Sequence, residues 1–584
     1  MTSYHHTAAA CFALFVTLLP GLALGETIEV ELDSVGPRWV GPQYLDNLGW
    51  KIEAPGDLNG DGFDDFGVSS PQDIGPLTFD SVLRVFHGGD EPLPASGPAD
   101  WETVGISDGK VGTDAVFQFK FIPDATGDGK KDLLVAEPNA GDAGKVLLYA
   151  GGDDGFLGIT GATDSVARWD GFLQTEYPQL AEQTRPSRVA GGDVDGDGVA
   201  DIVIASDVFN ALWVDYSDTP FGGQQSLADL STVLRGCVDE LPGARYASAI
   251  AMGDYNDDGF SDLAVGASGC NEGEGRVFIW NGSAAGLGTA PETELAGGDR
   301  LGASLQTLDF DGDGIDDLAV QELLSASESD TGAEDRGNLL IFTGASEGLS
   351  SSPAVRFLGG FSDKRFGESV ALLADVSAPA DGLREVVISS PEAAYQGTGE
   401  GAVYIFDGRA EWSGDVNVSE AHYRVSGAHR DAWLGQSIAT MDDFDGDGNP
   451  EILIGEPNYT EGESENDYKR GRLYMFTALP DRDEDGDGVS TLNGDCDDTD
   501  ASITPLAWEE CDDGIDNDCD YEIDEGCDGA DDDDDDDDDT TPPPGDDEEE
   551  GCGCEASLAP SNVEAGTFSL AALVLFLCAA RRRA

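Results

Sequence analysis

Six nine-residue stretches of this chain carry oxygen-bearing side chains in one recurring frame. "DLNGDGFDD" offers Asp57, Asn59, Asp61 and Asp65; "DATGDGKKD" offers Asp124, Thr126, Asp128 and Asp132; "DVDGDGVAD" offers Asp193, Asp195, Asp197 and Asp201. The series continues with Asp254, Asn256, Asp258 and Asp262, then Asp309, Asp311, Asp313 and Asp317, then Asp443, Asp445, Asp447 and Glu451. Positions 1, 3, 5 and 9 supply hard oxygen donors, and glycine at position 6 permits a sharp turn. Calcium takes six to eight oxygens in flexible geometry, which four such side chains, a backbone carbonyl and water can provide. Magnesium keeps more of its water, and soft metals prefer Cys or His. The chemistry expected of these loops is calcium binding, at about six sites. Carboxylates crowded this closely without a cation would repel one another.

An EF-hand begins similarly but requires a bidentate Glu at position 12 and a helix on either side. Here position 12 is Val68, Val135, Ile204, Val265, Val320 and Ile454. The flanks, such as "SLQTL" before and "DLAV" after, read as strands. The loops therefore join adjacent strands.

The frame recurs at intervals of 67, 69, 61, 55 and 134 residues, from the start positions 57, 124, 193, 254, 309 and 443. The last interval is double the others, and a degenerate unit fills it at "LLADVSAPADGLREVVISSP", with Asp375, Ser377 and Asp381 in an expanded loop. Each unit adds further strands, such as "GRVFIWNG" and "GAVYIFDG", then a fourth run. Seven four-stranded units predict an all-β fold, a seven-bladed β-propeller. The last unit lacks its fourth strand, and "TIEVELD", Thr27–Asp33, is expected to supply it and close the ring, removing a free sheet edge.

"RLGASLQTLDFDGDGIDDLAV", "RFGESVALLADV" and "WLGQSIATMDDFDGDGNPEILIGEP" resemble FG-GAP repeats, which build the propeller of integrin alpha chains. Leu301-Gly302, Phe366-Gly367 and Leu434-Gly435 occupy the FG position, and Gly455-Glu456-Pro457 approximates GAP. The resemblance spans residues 26–480. It implies calcium loops on one face and partner recognition by loops on the other. No inserted adhesion domain is visible. The expected recognition loops are those between second and third strands, of which 321–337 and 455–471 are long.

The formal net charge of −87, from 117 Asp and Glu against 30 Lys and Arg, argues against nucleic acid or an anionic membrane as partner. No H-E-x-x-H or phosphate-cradling glycine loop is present. Beyond the N-terminal segment only His87, His422 and His429 remain, none beside a nucleophile in sequence. A carboxylate pair could hide among so many acids, so a hydrolase or lyase on the propeller scaffold is the alternative to a non-enzymatic role.

Residues 1–25 read as an export signal, an apolar run ending in Ala23-Leu24-Gly25. Residues 481–529 form an acidic Cys-rich module in which Asp483, Asp485 and Asp487 are further metal-ligand candidates. Cys496, Cys511, Cys519 and Cys527 allow two disulfides there in three connectivities. This module resembles the metal-binding repeat of bacterial surface proteins and, more loosely, thrombospondin type 3 repeats. Residues 530–564 carry nine consecutive Asp, prolines and a Gly-Cys-Gly-Cys motif and read as an extended stalk. Residues 565–584, a short apolar stretch ending in Arg581–Arg583, resemble the MYXO-CTERM sorting signal of myxobacteria, which implies surface anchoring. Cys237 and Cys270 flank the fourth acidic loop. Together these features predict an exported, surface-anchored calcium-binding protein for adhesion or recognition of an extracellular protein or glycan. A calcium-dependent structural component of the envelope is a third option.

Overall fold

The computed structural model describes residues 28–30, 38–40 and, with gaps, 47–477, together with 502–504 and 517. The chain forms two compact units, Met1–Ala507 and Trp508–Ala584; Asn517 is the described residue of the second. The signal segment, the Asp483–Asp487 series, most of the Cys-rich module, the stalk and the C-terminal apolar stretch lie outside the described residues. Among those described there is no α-helix, and none is long and apolar enough to cross a membrane.

Seven sheets, each built on consecutive antiparallel strands, follow one another along the chain. Blade 1 runs Lys51–Gly56, Asp65–Gly75, Thr78–Phe86 and Val104–Ile106; blade 2, Gln118–Ile122, Asp132–Glu137, Lys145–Tyr149 and Ala167–Asp170; blade 3, Arg188–Gly192, Asp201–Ser206, Ala211–Asp215 and Thr232–Leu234. Blade 4 comprises Tyr246–Gly253, Asp262–Ala267, Arg276–Trp280 and Thr293–Ala296; blade 5, Leu305–Leu308, Asp317–Leu324, Arg336–Phe342 and Val355–Leu358. Blade 6 comprises Val370–Leu373, Glu385–Ser390, Ala402–Phe406 and Tyr423–Ser426, and blade 7, Ile438–Met441, Glu451–Glu456 and Arg472–Thr477.

The second strand of each blade reads as an unbroken apolar run because both its faces are covered. In blade 2, Leu133 and Val135 pack toward blade 1, whereas Leu134 and Ala136 pack toward blade 3. Side chains alternate across a strand, so one run feeds two interfaces. A separate hydrophobic cluster fills each of the seven blade-to-blade contacts. The six apolar residues at loop position 12 are all fully buried there.

The FG-type pairs have a steric role at these contacts. The carbonyl of Gly302, opening blade 5, lies 2.2 Å from where a Cβ on Gly266 of blade 4 would stand, and the carbonyl of Gly49 is 2.0 Å from the equivalent point on Gly455 of blade 7. At these two contacts the entry to a blade seats on a glycine in the second strand of the blade before it, leaving no room for a side chain.

Closure differs from expectation in one respect. The missing strand of blade 7 is Arg38–Val40, antiparallel to Arg472–Thr477, with Trp39 opposite Leu473. Within the expected Thr27–Asp33 segment, Ile28–Val30 instead pairs parallel with Tyr423–Ser426, the outer strand of blade 6. Gly223–Ser226 and Gly414–Asn417 do the same on the outer strands of blades 2 and 5. In all three cases the lead-in to one blade's outer strand first pairs with the preceding blade. Trp39 explains the register at closure: it is 6% exposed and packs on Phe86 and Phe66 of blade 1, at centroid distances of 5.5 and 6.1 Å. A strand carrying no large apolar residue at this position could not fill the seam. Nearer the axis, the Ile52 N–H donates to Ser437 Oγ at 2.9 Å, joining the same two blades.

Cys237 and Cys270 form a disulfide, with Cα atoms 5.9 Å apart. Cys237 follows the outer strand of blade 3 and Cys270 follows the second strand of blade 4, so the bond ties two blades together. Across a sequence separation of 33, loop-closure entropy makes such a bond worth roughly 3–4 kcal/mol. Replacing both cysteines by alanine is expected to lower the denaturant midpoint accordingly. An unchanged midpoint would show that the apolar packing around Cys270 already holds these blades.

Candidate metal centres

In every blade except the sixth, the acidic frame forms the hairpin between first and second strands. Its carboxylates first template the loop itself. The position-1 carboxylate accepts from the N–H groups of positions 4 and 6: Gly60 and Gly62 on Asp57 at 2.6 and 2.9 Å, Gly196 and Gly198 on Asp193 at 2.6 and 2.9 Å, Gly312 and Gly314 on Asp309 at 2.8 and 3.1 Å. Gly127 and Gly129 serve Asp124 likewise, Gly259 serves Asp254, and Gly446 serves Asp443. Position 3 accepts from position 5 at Asn59, Asp195, Asn256 and Asp311. Position 5 accepts from position 7 at Asp61, Asp128, Asp197, Asp258 and Asp313. Positions 4 and 6 adopt left-handed φ, as at Gly312 (76°) and Gly314 (88°), which accounts for the glycines; in blade 4 Asp257 takes that conformation with φ of 54°.

Position 9 is buried, at 0% exposure for Asp65, Asp132, Asp201, Asp262, Asp317 and Glu451. One of its oxygens accepts from the position-2 N–H, for example Phe310 to Asp317 at 2.8 Å and Phe444 to Glu451 at 2.8 Å. In four blades the other oxygen accepts from the glycine that ends the third strand: Gly88, Gly151, Gly282 and Gly344, at 2.7 to 3.0 Å. A Cβ on these glycines would stand 2.2 to 2.6 Å from a neighbouring carbonyl. This brace escaped the sequence reading, although the glycine closing "GNLLIFTG" and "GKVLLYAG" was its signal. Thr126 turns its hydroxyl to Asp132 Oδ1 at 3.2 Å.

The remaining lone pairs converge. Single carboxylate oxygens from Asp193, Asp195 and Asp197 lie within 4.8 Å of one another, as do those of Asp309, Asp311 and Asp317, and those of Asp443, Asp445 and Glu451. Asp447 and the Asp483, Asp485, Asp487 series lie outside the described residues. In blade 1 a residue not singled out as a ligand enters the loop: His87 Nδ1 lies 3.1 Å from Asp65 Oδ1 and 3.2 Å from Asn59 Nδ2. In blade 6 the ninth-position role falls to Glu385, whose carboxylate accepts from the Val376 N–H at 3.2 Å. The "EVVISS" run it opens, parallel to "DLAV", was the sign of it. Gly382 donates to Asp375, so the degenerate loop keeps the position-1 bond.

The loops are also linked to each other. The backbone N–H at position 8 of one blade donates to the position-1 carbonyl of the blade before: Ala200 to Asp124 at 2.8 Å, Ser261 to Asp193 at 2.8 Å, Asp316 to Asp254 at 3.3 Å, and across the closure Asp64 to Asp443 at 3.0 Å. An ion fixing one loop would therefore stiffen the next.

Burial, followed by neighbouring carboxylates, raises several of these groups: Asp132 and Asp317 to about 6, Asp262 and Glu385 to about 7. Asp311 is raised for the same reasons. Asp57 moves the other way: burial opposes ionisation, but the amides of Gly62 and Gly60 outweigh it. Without metal, the raised groups bind more protons in the folded than in the unfolded chain between about pH 4 and 7, so stability falls as pH rises through that window. In chelator, the thermal midpoint is expected to be higher at pH 5 than at pH 8. General repulsion in so acidic a chain acts in the same direction, so the diagnostic is a flatter profile for Asp262→Asn with Asp317→Asn. An unaltered slope would dismiss these groups as its source.

Clustered hard-oxygen donors, one of them buried in each loop, fit a divalent cation and offer no thiolate. The fold and loops define a repeat propeller of FG-GAP type. An FG-GAP-like repeat model matches residues 254–320 and an FG-GAP repeat model matches residues 434–475. Residues 495–525 match a model described as a "putative metal-binding motif". The chain is 31% identical over 236 residues to phosphatidylinositol-glycan-specific phospholipase D of Bos taurus, covering 37% of this chain and 27% of that protein. It is 30% identical over 153 residues to integrin alpha-4 of Xenopus laevis, covering 24% of this chain and 14% of that protein. With integrin alpha-7 of Rattus norvegicus it shares 37% over 145 residues, covering 22% and 12%. The chain thus spans less than a third of the length of each of these relatives.

Proposed function

We propose that this protein is a calcium-binding recognition protein of the cell surface or extracellular space, which uses the propeller face opposite the acidic loops to hold an extracellular protein or glycan. The observation that carries this reading is the division of labour between the two ends of the blades. Acidic loops linked through backbone bonds occupy the first-to-second hairpins. The second-to-third hairpins at the other end are free of that frame, and those of blades 1 and 5 are prolonged by the long strands Asp65–Gly75 and Asp317–Leu324. Calcium suits the sites better than magnesium because each ligand set is dense and mixes one buried carboxylate with more exposed ones in an irregular loop, whereas magnesium demands near-ideal octahedra and keeps its water. Similarity to integrin alpha chains supports adhesion or recognition. The test is a binding screen in millimolar calcium, comparing the native chain with one in which residues 325–335 are replaced by a short Gly-Ser turn. A defined extracellular ligand retained by the first and lost by the second supports the reading. A ligand captured equally well by the acidic-loop face alone would refute it.

A second reading, an extracellular hydrolase using the propeller as scaffold, is favoured by the similarity to proteins named as phospholipases. Turnover of a phosphoester or polysaccharide, abolished by one carboxylate substitution that leaves folding intact, would establish it.

A further inference from the structure

On the face opposite the acidic loops, two indoles meet at the seam between the last and first blades. Trp433 immediately precedes Leu434-Gly435 of blade 7, and Trp50 immediately follows Leu48-Gly49 of blade 1. Their ring centroids are 6.2 Å apart with planes at 52°, and both side chains are half-buried, so each keeps surface open to solvent. Trp433 holds a left-handed backbone, φ 60°. The residues preceding the equivalent pairs in blades 1, 5 and 6, Asn47, Arg300 and Arg365, share that backbone but carry flexible polar side chains instead. A bulky aromatic is an unfavourable occupant of this conformation, so packing of the turn does not account for the choice.

Polar groups frame the pair. Lys469 Nζ stands 5.6 Å from the Trp433 ring centroid and donates to Asn458 Oδ1 at 2.9 Å. The Asn458 backbone N–H donates to the Ala432 carbonyl at 3.1 Å, which places this side chain against the turn bearing Trp433. Asn458 is 4% exposed, yet its Nδ2 has no hydrogen-bond partner among the described residues. Buried amide donors are nearly always satisfied, so this one would gain from an oxygen acceptor entering the seam. Asp431 is exposed next to the same turn and acts electrostatically on Lys469. On one side the prolonged hairpin of blade 1 is tied to the seam through Trp50 N–H to the Ser69 carbonyl and Asn47 Nδ2 to the Pro71 carbonyl, both at 3.3 Å. On the other, the Thr460–Lys469 bridge extends the hairpin of blade 7.

We propose that this seam binds a neutral glycan: the indoles take the apolar C–H faces of one or two pyranose rings, while Asn458 Nδ2, Lys469 and Asp431 take hydroxyl groups. Paired donors and acceptors beside flat aromatic faces suit a ligand that is apolar on its faces and hydroxylated at its edges. The charge of −87 selects against acidic polysaccharide and leaves a neutral one without penalty. This inference rests on the recognition reading above and names its ligand class and location.

The test titrates the full chain in millimolar calcium with cellohexaose, chitohexaose, xylohexaose and mannohexaose, and with polygalacturonate as the acidic counterpart, read by tryptophan fluorescence and calorimetry. At least one neutral hexasaccharide is expected to bind and polygalacturonate is not. Trp50→Ala, and separately Trp433→Asn, which retains a residue tolerant of left-handed φ, should each weaken binding about tenfold or more. Their calcium-bound thermal midpoints should stay close to that of the native chain, which separates loss of the site from loss of the fold. The proposal is overturned if no neutral probe binds, if both variants bind as the native chain does, or if the acidic polymer binds equally. In any of these cases a ligand lost on replacing residues 325–335 would leave the recognition reading standing, whereas absence of that ligand too would remove both.

Discussion

Stripping divalent ions from the folded chain with EDTA is expected to lower its thermal midpoint by roughly ten degrees or more, and returning calcium should restore it. An ion at about 100 times its dissociation constant adds about 2.7 kcal/mol per site when it binds only the native state. Filling several sites then contributes about 10 kcal/mol, comparable with the whole net stability of an ordinary domain. A bound cation would also offset the repulsion within Asp309, Asp311 and Asp317 and the like clusters, whose oxygens lie within 4.8 Å of one another. Because Asp64 donates to the carbonyl of Asp443 and Asp316 to that of Asp254, losing one ion loosens the neighbouring loop as well. Asp311→Ala with Asp313→Ala should therefore remove one bound ion and lower the calcium-saturated midpoint while changing the chelated midpoint little. Equal midpoints with and without EDTA, and no bound ion by direct titration, would sink the assignment of these loops.

The second large effect concerns closure. Trp39→Ala is expected to destabilise the ring by about 3–5 kcal/mol, as for other large-to-small changes at buried aromatic sites. The strand it sits in is only three residues long, so the indole is its principal apolar contact with Phe66 and Phe86 of blade 1. Losing it frees Arg38–Val40 and exposes the edge of Arg472–Thr477, and an exposed strand edge invites pairing with other chains. Urea denaturation and limited proteolysis at residues 31–46 measure the effect. Trp39→Phe serves as control, since a smaller ring in the same place should cost far less. If the alanine variant unfolds at the native urea concentration, closure rests on Ser437 and the inner strands instead.

How far these sites were legible in sequence follows from which contacts are local. Within a loop, position 1 reaches positions 4 and 6 and position 9 reaches position 2, all inside nine residues, so spacing alone exposed the frame. The alternation that sends Leu133 and Leu134 to different blades made the second strands visible as apolar runs. His87, which enters the blade 1 loop, and Glu385, which replaces the ninth position of blade 6, lie beyond the nine-residue window, and neither stood out. Alternation points to Thr27–Asp33 as the closing strand, whereas Arg38–Val40, which closes the ring, follows a proline and is too short to show a period.

By itself the sequence determined that this is an all-β, seven-unit repeat propeller with acidic hairpins at one end, because local spacing and period require only neighbours along the chain. The tertiary structure decided which short segment shuts the ring, that Cys237 and Cys270 join two blades, that the acidic loops are linked in series, and that Trp50 and Trp433 share one seam although 383 residues separate them. Each of these depends on pairing residues across a closed ring, where distance in space bears no relation to distance in sequence.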